Sequence, residues 1–181
     1  MHLEKCVYYL VRKQNRTTFH VRPSRRRKAP LELVHTDVCY IDGPSHQGGQ
    51  YFVTFIDNYS QKTWAFALKF KDQALSFFKE FQARVEQELG RKLKIVRNDN
   101  GGEYKGQFEE YCKCQVIWIE YTVPQTPELN GIAERMNQMI MERVRNILSH
   151  AKLPKKRWAK AMYTVVYLIN RSPSVPLKGN V

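Results

Sequence analysis

Three carboxylates occupy positions where an acidic side chain has chemistry available to it. Asp37 falls inside the β-branched and aromatic run LELVHTDVCYI (31–41). Strand alternation sets it on one face with Leu33, His35 and Cys39, where a charge is costly unless something pairs with it. Asp99 closes KLKIVRND (92–99) and is followed by Asn100-Gly101-Gly102, residues that by themselves read as turn chemistry, because Asx side chains bond their own backbone and glycine tolerates positive φ. Glu134 lies early in the helical stretch NGIAERMNQMIMERVRNILSHA (130–151), about 110° from the centre of its apolar face. An acidic residue in a first helical turn is also favoured simply by the helix dipole. Hard oxygen ligands of this kind suit Mg²⁺ or Mn²⁺, and two such ions roughly 3.5–4 Å apart can activate an attacking oxygen and stabilise a leaving one in phosphodiester displacement. Spacing alone does not select the triple, since the chain has 17 acidic residues and Asp42, Asp57 or Glu103 could stand in for one of the three.

The elements that must position these groups are legible from periodicity. LELVHTDVCYI, QYFVTFIDNYS (50–60) and KTWAFALKF (62–70) read as three strands of a meander with a turn at Asp57-Asn58. KDQALSFFKEFQARVEQELG (71–90) spaces Ala74, Phe77, Phe78, Phe81, Val85 and Leu89 by threes and fours and stops at Gly90, the pattern of an amphipathic helix and its cap. KLKIVRND is a fourth strand and VIWIEYTV (116–123) a fifth, with a short helix between them. Two helices follow: the first buries Met136, Ile140, Val144, Ile147, Leu148 and Ala151, and Pro154 opens the second, KKRWAKAMYTVVYLINRS (155–172), at the first helical position. The order βββ-α-β-(α)-β-α-α implies an α/β fold, a mixed five-stranded sheet flanked by helices. In it, neighbouring first and fourth strands would bring Asp37 and Asp99 to one region. Trp64, Trp118 and Trp158 read as core residues, and His35 as a packed histidine with no catalytic part.

Composition supports a nucleic-acid partner. The chain has 181 residues, 43% of them hydrophobic, enough for one domain with a core. Its 30 Lys+Arg against 17 Asp+Glu give +13, an excess that fits a polyanion better than a small metabolite. Residues 1–30 hold nine cations against Glu4 alone, so this basic arm contributes +8. Within it Arg25, Arg26, Arg27 and Lys28 are candidate nucleic-acid contacts, although RPSRRRK also reads as a solvated linker or a nuclear localisation signal. On the second-last helix Arg135, Gln138 and Arg145 are candidate contacts beside Glu134. No stretch is long and apolar enough to span a bilayer. Met1 is followed by His, Leu and Glu, and the expectation is an intracellular chain, nuclear or cytoplasmic. Cys6, Cys39, Cys112 and Cys114 match no zinc spacing, so no zinc site is expected from this chain alone.

HTDVC, YFVTFIDNYS, RNDNGGEY, EEYC, TVPQTPELNGIAERMN and AKLPKKRWAKAMYTVVYLINRSPS together resemble the integrase catalytic core of copia-type LTR retrotransposon polyproteins, nearest to the plant Tnt-type elements, over residues 6–178. The resemblance implies an RNase H-like core over 31–178. It also implies a D,D-E site at Asp37, Asp99 and Glu134 with two Mg²⁺ or Mn²⁺ ions, and DNA (element ends and target) as partner. Further implications are 3′-end processing and strand transfer as the reactions, and a homo-oligomer when active. Three departures stand out. Asp99 and Glu134 enclose 34 residues, one fewer than the family pattern; Tyr9 stands where the zinc-binding segment would have its second cysteine, so residues 1–30 read as a remnant of that segment; and Gln138 stands where relatives often have a basic residue. These departures keep open a decayed or co-opted fragment that binds nucleic acid without integrating. An RNase H proper is a further alternative, which would call for a fourth carboxylate.

Overall fold

The computed structural model describes residues 27–122 and 127–172. Strands β1 (Val34–Tyr40), β2 (Tyr51–Asp57) and β3 (Thr63–Leu68) form the expected meander. Helix α1 (Ala74–Leu89), strand β4 (Ile95–Asn98), the short helix α2 (Gln107–Cys114) and strand β5 (Trp118–Tyr121) follow. Helices α3 (Pro127–His150) and α4 (Trp158–Arg171) complete the order. Each strand is a few residues shorter than its apolar run. α1 ends at Gly90, which takes φ 60°, a left-handed cap that glycine adopts without a Cβ penalty.

The sheet order is β3-β2-β1-β4-β5, with β1 antiparallel to β2 and parallel to β4. Alternation then sorts side chains onto two layers. Val34 and Val38 of β1, with Val53 and Phe55 of β2, face α1 and α2, where Phe55 stacks on Phe81 at 4.6 Å and Phe78 packs on Phe108 at 4.7 Å. Cys39, Phe52, Ile56 and Ala65 face α3 and α4, against Ile140, Val144, Trp158 and Met162. Burying a Phe or Leu side chain contributes roughly 1.5–3 kcal/mol, so the two layers together clamp the sheet from both sides.

The α3–α4 pair covers β1, β2 and β3 but not the β4–β5 half. Trp118, at the start of the edge strand on that uncovered face, is therefore 71% exposed rather than a core residue, whereas Trp64 and Trp158 are buried. Ala151 lies beyond the last turn of α3 and is exposed, and Leu89 at the end of α1 is 43% exposed. Pro154 precedes a short 3₁₀ turn (Lys155–Arg157) as its cap, with ψ 148°, and α4 proper begins at Trp158. The fixed φ of proline suits this entry, but the helix starts later than the first-position reading expected. No described helix is long and apolar enough to cross a membrane.

Candidate active site

The parallel pairing of β1 with β4 sets Val34 beside Val96 and His35 beside Arg97. Carried two residues on, the same register puts Asp37 opposite Asp99, on the same face of the sheet, just where β4 has ended at Asn98. The chain turns there: Asn98 Oδ1 accepts the Asn100 amide at 2.8 Å, Asp99 Oδ1 accepts the Gly101 amide at 3.1 Å, and Asn100 takes φ 65°. Asp99 is thus an exposed carboxylate at the mouth of the sheet that also stabilises its own turn.

Asp37 sits deeper. Its Oδ2 accepts a hydrogen bond from Asn137 Nδ2 at 2.9 Å, and Asn137 Oδ1 in turn accepts from Thr54 Oγ1 at 2.8 Å. Thr54 is the residue directly opposite Asp37 on β2, and both Thr54 and Asn137 are buried. The relay joins two strands and α3 and orients the carboxyl. Burial first, then the negative charge of Asp99, pushes the Asp37 pKa up to about 6; the Asn137 hydrogen bond opposes this and Glu134 adds to it. Asp37 therefore lies within electrostatic reach of both other carboxylates.

Glu134, exposed on the first turns of α3, lines a cavity of about 820 Å³ whose walls include Asp37, Asn137, Gln138, Arg145, Lys155 and Trp158. Arg145 is close enough to act electrostatically on the Cys39 thiol, which burial and Asp37 hold above its ordinary value. Arg135 is exposed on α3 but outside this lining. Arg27 lies elsewhere: its guanidinium is 3.4 Å from Glu120, which also pairs with Arg97, and its backbone amide binds Asn58. Lys28 is exposed and its amide is bonded to Glu32, while Arg25 and Arg26 fall outside the described residues. His35 is fully buried, with Nε2 3.0 Å from the Asn58 amide, and burial with Arg97 and Arg27 lowers its pKa to about 3, so it stays neutral.

Residues 27–127 match the integrase core domain family. The chain belongs to that family. It is 53% identical over 180 residues to the retrovirus-related Pol polyprotein from transposon TNT 1-94 of Nicotiana tabacum, an alignment covering 97% of this chain and 13% of the polyprotein. It is 33% identical to the corresponding polyprotein from transposon RE1 of Arabidopsis thaliana, over 93% of this chain and 11% of that one. The chain thus spans little more than a tenth of the curated relatives it matches. Among solved structures it shares its fold with the HTLV-2 integrase catalytic core domain in complex with magnesium, in its trimeric form (TM-score 0.64, 19% identity, 86% of this chain and 96% of that one). It also shares it with a chain of the simian T-cell lymphotropic virus intasome in complex with PP2A regulatory subunit B56 gamma (TM-score 0.63, 21% identity, 80% and 50%). The sheet and its flanking helices are the RNase H-like fold of integrase cores.

The surroundings of Asp37, Asp99 and Glu134 bear on whether these three candidate acids suit a divalent cation. Among the described residues no group of three His, Cys, Asp or Glu side chains is gathered so as to hold a metal ion. Like charges repel, Asp99 is held in its turn by Gly101, and Glu134 is exposed. The donor chemistry fits all the same: Asp37, half-buried and disfavoured as an anion, feels the charge of both Asp99 and Glu134, and a cation among these hard carboxylates would relieve that repulsion.

Two residues that position Asp37 were not singled out from the sequence: Asn137, which donates to its carboxylate, and Thr54, which donates to Asn137. For Asn137 a signal existed: a polar amide one turn after Glu134, flanked in the helical stripe by Met136 and Ile140. For Thr54 none existed, since threonine is an ordinary strand residue.

Proposed function

We propose that this chain is a metal-dependent polynucleotidyl transferase that performs 3′-end processing and strand transfer in DNA integration, with Asp37, Asp99 and Glu134 as its acidic ligands. The observation that carries the reading is the placement of Asp37: register-aligned with Asp99, oriented by Asn137, perturbed by the charges of Asp99 and Glu134, and set with Glu134 on the wall of a cavity that Arg145 and Lys155 also line. A bound pair of Mg²⁺ or Mn²⁺ ions would supply activation of the attacking oxygen and neutralisation of charge on the leaving one. The chain's own residues do the rest. Thr54 and Asn137 keep the Asp37 carboxyl pointing toward the mouth of the sheet, and Gln138 and Arg145 continue along the same helix ridge, where a DNA backbone would lie. The magnesium in the HTLV-2 core and its dimeric and trimeric forms support the cofactor and a homo-oligomeric state for this chain. The proposed units are the basic arm, residues 1–30, and the core, residues 31–178.

The test is 3′-processing and strand transfer on duplexes mimicking element ends, with Mg²⁺ or Mn²⁺, for wild type and Glu134→Gln. The expected result is metal-dependent product from wild type and a loss of at least a hundredfold in the variant, the scale seen when a transition-state contact is removed. Equal activity in both would sink the assignment. A second reading, a decayed or co-opted fragment that binds nucleic acid without cutting it, is favoured by the ungathered carboxylates; DNA retention with no cleavage under either metal would establish it.

A further inference from the structure

No aspartate or glutamate follows Glu142, while residues 143–181 contain nine lysines and arginines. With +8 in residues 1–30 and +13 overall, the intervening 112 residues carry −4, so the net positive charge comes from the two ends of the chain. Five of these cations, Lys152, Lys155, Lys156, Arg157 and Lys160, crowd the turn between α3 and α4 and the first turn of α4, and all five are exposed. Among the described residues none of them has a carboxylate partner. Their position is also unfavourable for the helix itself, because the N-terminal end of α4 already carries the positive pole of the dipole.

The turn that presents them is fixed. The Leu153 amide bonds Leu148 O at 2.9 Å, the His46 amide bonds Lys156 O at 2.8 Å, and Trp158 is buried beneath. Trp158 supplies an independent sign of a missing ligand: its indole N–H is buried without an acceptor, and the residue lines the same cavity as Asp37 and Glu134. That cavity runs along α3 from Glu134 to Ser149, with Lys155 at the far end. Fifteen residues of helix span about 22 Å, the length of roughly six nucleotides along one DNA strand.

We infer that the α3–α4 turn is a clamp for the DNA phosphate backbone, gripping it about six nucleotides from the acidic end of the cavity. The assignment rests on the polynucleotidyl-transfer reading for its substrate. A nucleic acid suits the surface better than an acidic protein segment because the cations continue, through Arg145, into the cavity that Asp37 and Glu134 line.

Binding of a short labelled duplex, followed by fluorescence anisotropy between about 50 and 200 mM KCl, reads the number of phosphate contacts from the salt slope. The combined variant Lys155→Ala, Lys156→Ala, Arg157→Ala should lower that slope by about 2 to 3, at roughly 0.9 per contact, and weaken binding at least tenfold at the upper salt concentration. The charge-conserving version (Lys155→Arg, Lys156→Arg, Arg157→Lys) should retain both. A control removing three exposed cations beside α1 and α2, Lys79, Lys105 and Lys113, should change the slope by less than about 1. An unchanged slope in the first variant, or an equal drop in the control, overturns the clamp. So does unaltered DNA affinity together with lost retention of a Glu-rich peptide, which would make the surface a protein-docking one. Metal-dependent cleavage by wild type, assayed in parallel, keeps the two claims apart. Cleavage with an unchanged slope refutes only the clamp; a lowered slope without cleavage upholds the clamp and refutes only the catalytic reading.

Discussion

Replacing Asp37 with asparagine should make the metal-free protein more stable, and by an amount that depends on pH in a known direction. The carboxyl ionises at 3.8 when unperturbed and at about 6 in the fold, because burial and the charges of Asp99 and Glu134 disfavour the anion. An acid whose folded pKa is raised penalises the fold as pH climbs above its unfolded value, and the penalty levels off once pH passes the folded value. At 1.36 kcal/mol per pH unit the full effect is about 3 kcal/mol, or about 2 kcal/mol after allowing for the part of the group that water reaches. Asn at 37 is close in shape and can still accept the Asn137 hydrogen bond, so the comparison isolates the charge. His35 works in the opposite sense: its pKa is lowered to about 3, so it stabilises the fold above pH 6.5 and that stability is lost as pH falls toward 3. It does so equally in both proteins and cancels in the difference. Urea unfolding of wild type and Asp37→Asn in EDTA, from pH 4 to 8, should give matching midpoints near pH 4. The variant's advantage should grow to about 1 M urea by pH 7, for a slope near 2 kcal/mol/M. A variant no more stable than wild type at pH 7, or an advantage that does not change with pH, would refute the electrostatic argument.

Three further outcomes follow from the same geometry. Asn137→Leu strands the Thr54 hydroxyl and one Asp37 oxygen, and should cost about 2 kcal/mol by urea unfolding; a double-mutant cycle with Thr54→Val should show that the two losses do not add. Adding millimolar Mg²⁺ should raise the melting temperature of wild type but not of Asp37→Asn, since binding to the folded state alone stabilises by mass action. Trp158→Ala should cost about 3–5 kcal/mol in chemical denaturation, while Trp118→Ala should cost less than about 0.5 kcal/mol because that ring packs against solvent.

Much of the fold was written in local pattern. The steps of three and four in α1 and α3, and the alternation in β1 and β2, survive as the buried faces of those elements. Glu134 was placed at the rim of its helix by angle alone and is found exposed on the cavity wall. Trp118 misled because aromatic content in a strand-like run is the same whether the strand is central or at the edge, and only the reach of α3 and α4 decides which. Pro154 misled for a related reason: proline fits a cap and a first helical turn equally well by its φ, and its extended ψ of 148° was set by the turn around it.

The sequence by itself determined the order of the elements, the faces they bury, the excess of net positive charge at the two ends, and the presence of hard carboxylates where a strand runs, where a strand stops and where a helix begins. Those properties depend on residues two to four apart, whose relations the backbone periods impose directly. The tertiary structure alone decided that Asp37 meets Asp99 through the β1–β4 register and that a buried amide 100 residues away orients it. Such contacts are settled by which surfaces pack and by how like charges share a half-buried space, and no local repeat along the chain encodes either.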